Sequence, residues 1–159
     1  MAAAPGAQAP QGPVLTIEKI YVKDASIEIP NAPQIFMEAI QPQIDLQMNS
    51  ATQQVSPGLY ELVLTITVTA KAGERTVFLV EAAQAGIFQI SGYPEPAMQE
   101  IMGVHCPTVI FPYARETIAN LINRAGFPPI NLAPISFQAL YEQQRAQQAQ
   151  ASPIIQVAH

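Results

Sequence analysis

The chain has 159 residues, of which 49% are apolar and only 12% are charged, and its formal net charge is −5. This length suits one domain with its own core, and the scarcity of Lys and Arg argues against nucleic acid or an anionic membrane surface as a partner. High apolarity with little charge favours an oligomer or a protein that binds apolar partners, because an apolar surface exposed on a monomer promotes self-association.

The two ends of the chain are low in sequence complexity. Residues 1–13 lack the basic region and the apolar core of a secretory signal, and residues 143–159 are rich in Gln and Ala. We therefore expect a disordered tail at 1–13, one folded domain at 14–142 and a flexible tail at 143–159. No run approaches the roughly 18 apolar residues of a membrane span, so we expect no membrane insertion. The single cysteine, Cys106, fits the reducing cytoplasm.

Alternation of apolar and polar residues predicts four strands in the first half of the chain. They cover residues 15–29, 43–49, 60–70 and 76–90. We expect the last strand to be interrupted at Gly86, where the missing side chain indicates a bulge or a close backbone approach. Short turns between successive strands predict an antiparallel sheet.

A helical period replaces the alternation after Gly92. Proline is tolerated in the first turn of a helix but not in its interior, so we predict a short helix at 96–105 and a longer one from about Pro112 to Gly126. Ser136 is the predicted N-cap of a last helix. Strands followed by helices predict an α+β fold, with a four-stranded antiparallel sheet and helices packed on one of its faces.

Little in the sequence indicates catalysis. His105 and Cys106 are neighbours, but consecutive residues on a helix point about 100° apart, which favours ordinary packing over a nucleophile and base. The sequence has no Cys/His/Asp set at metal-binding spacing, no Gly-rich phosphate loop and no pattern typical of a catalytic triad. We expect no enzyme activity, no metal and no cofactor.

Two features outside the core pattern each have two interpretations. Asp24 and Glu28 lie about 13 Å apart on one face of the first strand, which fits either a solvated face or an acidic docking surface for a basic partner. The prolines in residues 30–33 hold Ile35 and Phe36 in an extended loop. That loop either tucks under the fold or lines a groove for an apolar peptide.

Several segments, in order along the chain, resemble those of the SecB family of protein-export chaperones. They are Tyr21-Val22-Lys23-Asp24, Glu28-Ile29-Pro30-Asn31-Ala32-Pro33, Gly86-Ile87-Phe88, CPTVIFPYARE from Cys106 and FPPINLAPISF from Phe127. The resemblance covers roughly residues 15–142. It implies a homotetramer built as a dimer of dimers. It also implies an ATP-independent holdase that keeps unfolded preproteins competent for translocation and delivers them to SecA, the motor of the Sec translocase.

The resemblance also implies roles for individual residues. Positions that match the family's SecA-binding residues are Asp24, Glu28, Leu79 and Glu81, and those that match its assembly residues are Val80, Ala82 and Gln84. For the client groove we choose apolar residues near the loop and the helices, namely Ile29, Ile35, Phe36, Met98, Tyr113, Phe137, Leu140 and Tyr141. One departure concerns the C-terminal tail, which is often acidic in the family but has no acid here after Glu142.

Two other functions compete with this interpretation. A SecB-like chaperone dedicated to one client, such as a toxin–antitoxin pair, would keep the fold, although the matched docking positions weigh against it. An enzyme or small-ligand carrier would need an enclosed pocket, and the sequence shows no catalytic set.

Overall fold

The computed structural model describes residues 12–151, and within them four strands form one antiparallel sheet. The strands lie in the order β1-β4-β3-β2, with bounds β1 (Val14–Glu28), β2 (Gln43–Ser56), β3 (Leu59–Ala72) and β4 (Arg75–Ser91). A 3-10 turn (Gln34–Met37) precedes β2, and after β4 come α1 (Glu95–Glu100), a π-helical segment (Ile101–His105), α2 (Cys106–Arg124) and α3 (Phe137–Ala151). The predicted α+β fold with an antiparallel sheet is confirmed. Residues 1–11 of the predicted N-terminal tail lie outside the described residues.

Helix α2 covers one face of the sheet. The even-numbered residues from Leu62 to Ala70 on β3 and from Phe78 to Ile90 on β4 are buried on that side. They meet a stripe of α2 residues spaced four apart, which are Ile110, Ala114, Ile118 and Ile122, each 0% exposed. The predicted packing of helices on one sheet face is confirmed. We call the opposite side, which carries the odd-numbered residues of β3 and β4, the open face.

Strand β1 contains two bulges that the alternation did not predict. Its pairing with β4 skips one residue between Ile17 and Lys19 and another between Val22 and Asp24. Each extra residue reverses which face the following side chains take. Between the bulges, Tyr21 therefore lies on the open face while Ile17 lies on the α2 side. The prediction of one uninterrupted alternation along this strand was wrong.

Gly86 does not interrupt β4, which runs straight through it and pairs there with Ile20 and Leu62. A Cβ added at Gly86 would lie 2.6 Å from Cδ1 of Ile110 and 2.9 Å from Cε2 of Phe88. The glycine therefore lets α2 approach the sheet closely. Gly86 was predicted to mark a bulge or a close backbone approach. The structure has neither a break nor a bulge there, and the groups that come close belong to the side chains of Ile110 and Phe88 rather than to the backbone.

The helical layer starts where it was predicted, but its second helix starts earlier. Residues 95–124 are helical without a break, and α2 begins at Cys106, so that Pro112 lies inside it. Proline removes one backbone hydrogen bond from a helix interior, but Phe111 and Ala114 beside it are buried in the core, and their packing outweighs that loss. The predicted start near Pro112 was wrong, whereas the predicted end is correct because Gly126 follows with a φ of 94°.

Ser136 caps α3 as predicted, since its Oγ accepts a hydrogen bond from the backbone N–H of Ala139 at 3.2 Å. The helix continues to Ala151, so that residues 143–151, assigned from composition to the C-terminal tail, are helical. Residues 152–159 of that predicted tail lie outside the described residues. Within residues 12–151, no helix has the length and apolarity to cross a membrane.

Candidate functional site

The open face brings together the four predicted docking residues. Directly paired residues of an antiparallel sheet share a face, and Glu28 pairs with Leu79, while Glu81 pairs with Ser26. Asp24 follows the second bulge and pairs with Ala83, which places it on the same side. We call Asp24, Glu28, Leu79 and Glu81 the acidic face. Its three carboxylates are exposed on two adjacent strands, a geometry suited to a basic partner.

A polar network lies further along the open face and is centred on Glu61, which is only 6% exposed. Tyr21 donates a hydrogen bond from its hydroxyl to Oε2 of Glu61, and Lys23 Nζ and Gln53 Nε2 each lie 2.9 Å from Oε1. These donors, the Lys23 ammonium first, hold the pKa of Glu61 below its usual value against the effect of burial. The bond to the carboxylate raises the pKa of Tyr21 to about 12.

A groove of about 430 Å³ opens on the α2 side of the sheet, near the β3–β4 turn. Three aromatic side chains line it, with the ring of Phe127 5.1 Å from that of Phe36 and 5.0 Å from that of Phe78. Ile35 and Ile130 add aliphatic surface. We call this the aromatic groove. Its lining suits a partner that offers apolar side chains.

Two polar contacts hold the loop that forms one wall of the aromatic groove. Nδ2 of Asn31 donates to the backbone oxygen of Thr76 at 2.9 Å. Nη1 of Arg75 lies 2.9 and 2.7 Å from the two carboxylate oxygens of Glu38, which itself lines the groove. Both contacts join the β1–β2 connection to the start of β4. The proline-bounded loop therefore combines both predicted placements: Ile35 is 3% exposed and packs in the core, whereas Phe36 is 46% exposed at the groove.

A second groove, of about 570 Å³, lies between β2 and helix α3. Met48, Met102, Phe137 and Tyr141 contribute its apolar lining, and we call it the α3 groove. Its helical wall is tightly packed, because a Cβ on Gly103 would come within 2.7 Å of the Tyr141 ring. Flexible methionine and aromatic side chains together suit apolar partners of varied shape.

Strand β2 connects the two grooves. Ile44 lines the aromatic groove and Met48 lines the α3 groove, while Leu46 lies between them on the same side of the strand. Leu46 is 41% exposed, and α2 does not cover it. Met48 is four positions after Ile44, about 13 Å along the strand, so this row of apolar side chains joins the two grooves into one continuous apolar surface beside α2.

The predicted client-groove residues divide into three sets. Ile35 and Phe36 line the aromatic groove, and Phe137, Leu140 and Tyr141 line the α3 groove. The third set lines neither groove: Ile29 and Met98 pack against the core, and Tyr113 is exposed on α2.

Sequence reasoning missed several lining residues. Phe78 and Met48 were interpreted only as strand residues, and Phe127 only as part of the resemblance. One signal was available for Phe127, because a phenylalanine followed by Pro128 and Pro129 shortly after a helix is held in an extended connection.

The predicted assembly residues lie inside the chain. Val80 and Ala82 are 0% exposed beneath α2, and Gln84 accepts a hydrogen bond from Oγ1 of Thr117 on that helix at 3.0 Å. None of them is on the surface of the single chain, so an effect on assembly would have to act through the position of α2.

Cys106 and His105 do not form a reactive pair. His105 is exposed, whereas Cys106 is 2% exposed, and burial raises the pKa of its thiol to about 12. A thiol with so high a pKa has almost no nucleophilic thiolate at neutral pH. Among the described residues, no group of three or more His, Cys, Asp or Glu side chains is placed to hold a metal ion.

Comparisons with known proteins agree with this architecture. The family model described as "Preprotein translocase subunit SecB" matches residues 8–148. A relative from Chromobacterium violaceum named "Protein-export protein SecB" is 61% identical over 139 residues, which cover 87% of this chain and 93% of that protein. The protein of the same name from Methylobacillus flagellatus is 55% identical over 142 residues, covering 89% and 90%.

One solved structure shares the fold at low sequence identity. It is a SecB-like chaperone of Mycobacterium tuberculosis in complex with a ChAD peptide from an antitoxin. The two chains are 17% identical with a TM-score of 0.61, and the match covers 77% of this chain and 88% of that one.

Proposed function

Because the chain belongs to the SecB family, we propose that it is an ATP-independent holdase that binds unfolded preproteins in the cytoplasm and delivers them to the SecA motor. The observation that carries this proposal is the continuous apolar surface formed by the two grooves and β2. It is open and lined by aromatic, aliphatic and methionine side chains, as binding of many unrelated unfolded segments requires.

Client binding and docking use opposite sides of the sheet in this proposal. The grooves lie on the α2 side, and the acidic face lies on the open side, so that a loaded chaperone keeps its docking residues accessible. SecA is the proposed partner of the acidic face, with Asp24, Glu28 and Glu81 attracting a basic surface and Leu79 adding an apolar contact.

A homotetramer, arranged as a dimer of dimers, is the proposed assembly. Supporting it, β1 is an edge strand, and Ile17 and Val22 on its α2 side are 46% and 49% exposed. Unpaired backbone groups and apolar side chains along an edge favour pairing with a second chain. The proposed part of Val80, Ala82 and Gln84 is to hold α2 in the position that assembly needs.

Client range tests the holdase proposal. The protein should delay refolding of an unrelated, slow-folding preprotein at stoichiometric amounts without ATP. Delay confined to a single toxin or antitoxin client would instead identify a dedicated SecB-like chaperone, and no delay of any client would overturn both interpretations.

The docking proposal has a separate test. Asp24→Lys should weaken SecA binding in titration calorimetry and leave client binding unchanged, because Asp24 is on the open face. Equal SecA affinity for this variant and the wild type would remove the acidic face from the proposal. Light scattering that gives the mass of one chain would contradict the tetramer.

A further inference from the structure

The second bulge of β1 places a lysine beside the acidic face. Lys23 is the extra residue between the pairs Val22–Gln84 and Asp24–Ala83. Its ammonium contacts Glu61 on the open face, so Lys23 and Asp24 lie on the same face although they are consecutive. In regular alternation they would be on opposite faces. A cation is thereby built into the edge of an anionic surface.

The Lys23 ammonium is directed away from Asp24. It lies 2.9 Å from Oε1 of Glu61, on β3, two strands across the sheet. Glu61 is itself held by hydrogen bonds from Tyr21 on β1 and Gln53 on β2. The carboxylate is thus held by donors from two other strands before any partner binds, and its side chain is 8% exposed, whereas that of Lys23 is 46% exposed.

The described residues contain two ion pairs, Lys23–Glu61 and Arg75–Glu38, and neither includes an acid of the acidic face. Glu81 accepts its hydrogen bond from the neutral Oγ1 of Thr67, at 2.7 Å. The negative charges of Asp24, Glu28 and Glu81 are therefore left for a partner.

We propose that Glu61 is a positioning residue for docking, which retains Lys23 and so prevents it from neutralising Asp24. This rests on the proposed docking function. Without Glu61, the lysine side chain can turn toward Asp24, its neighbour on the same face, and compete with a basic partner for that carboxylate. The chain thereby keeps one cation within reach of the acidic face without lowering its attraction for a basic surface.

The central test uses Glu61→Gln, which keeps the side-chain shape and releases Lys23. Calorimetric titration with purified SecA at low salt should show affinity weakened by about two- to fivefold, the upper part of the range for one exposed ion pair. The weakening should shrink as salt is raised to 0.5 M, because the competition is electrostatic. Adding Lys23→Met to Glu61→Gln should restore affinity to within about twofold of the wild type.

Glu18→Gln is the matched control, because it removes one carboxylate from the same strand as Lys23 and leaves the Lys23–Glu61 pair intact. It should change SecA affinity by less than about twofold. If Glu18→Gln weakens binding as much as Glu61→Gln does, or if the double variant stays as weak as Glu61→Gln alone, the proposal is overturned. Should Asp24→Lys have no effect, the docking function fails; if Asp24→Lys weakens binding but Glu61→Gln does not, only the role of Glu61 fails.

A measurement on the unaltered protein covers the case in which Glu61→Gln does not fold. Lys19 and Lys23 are on the same strand. Lys19 pairs with Ile87, an odd-numbered residue of β4, and therefore also lies on the open face. Reductive methylation followed by mass spectrometry should modify Lys23 more slowly than Lys19, because the Lys23 ammonium is engaged with Glu61. Equal rates would contradict the retention of Lys23.

Discussion

Replacing Phe127 with alanine tests whether the aromatic groove binds clients. The ring of Phe127 stacks on that of Phe36 at 5.1 Å, lies tilted against that of Phe78 at 5.0 Å, and lines the groove. A client side chain that buries about 50 Å² against this ring gains about 1.2 kcal/mol at about 25 cal/mol per Å². Phe127→Ala should therefore weaken client binding by about eightfold.

The assay is competition for a fluorescently labelled, unfolded preprotein. Loss of two aromatic pairs also costs about 1–3 kcal/mol of stability, so folding is checked by urea denaturation and assembly by light scattering. Tyr113→Ala is the matched control, because Tyr113 is an aromatic residue that is 49% exposed on α2 and lines neither groove. We expect Tyr113→Ala to change client affinity by less than about twofold. Equal weakening by both variants would refute the assignment of the groove.

Three further predictions concern packing, the groove wall and pH. Gly86→Ala, which sets a Cβ 2.6 Å from Cδ1 of Ile110, should lower the free energy of unfolding by about 1–3 kcal/mol, and Ile110→Val should recover part of that loss in a urea double-mutant cycle. Arg75→Glu should repel Glu38, loosen the groove wall and weaken client binding by about two- to fivefold at low salt, and the charge-swapped pair with Glu38→Arg should restore it. The pKa of Glu61 is lowered from 4.5, so the stability that its carboxylate contributes is present above about pH 4.5 and is lost as the pH falls through the lowered pKa. In Glu61→Gln, the melting temperature should therefore fall less steeply with decreasing pH below about pH 4.5 than it does in the wild type.

The strands were predictable where their period is regular. On β3 and β4, the even-numbered residues are buried and most odd-numbered residues are not, so parity alone placed Leu79 and Glu81 on one face and Val80 and Ala82 on the other. Which of those faces α2 covers could not be derived from the alternation. For that reason the resemblance could suggest a surface role for Val80, although it lies in the core.

Helix boundaries and grooves were less predictable for different reasons. The rule that proline ends a helix depends on local backbone geometry, whereas Pro112 is accommodated because Phe111 and Ala114 beside it pack against the sheet. The grooves depend on contacts between segments far apart in sequence, such as Phe36 with Phe127. No local pattern contains that information, so apolar residues chosen for their nearness in sequence to the loop included Ile29, which packs against the core.

The bulges of β1 show why the faces of its side chains could not all be predicted from alternation, whereas those of β4 could. Asp24 and Glu28 both follow the second bulge, so their predicted common face remains correct even though the alternation of the whole strand does not. The missed second bulge matters most for Lys23. Strict alternation would place Lys23 on the opposite face of the sheet from Asp24, away from the proposed docking surface. With the bulge, Lys23 lies on the open face next to Asp24, and its ammonium is 2.9 Å from Oε1 of Glu61, the contact that the proposed role of Glu61 depends on.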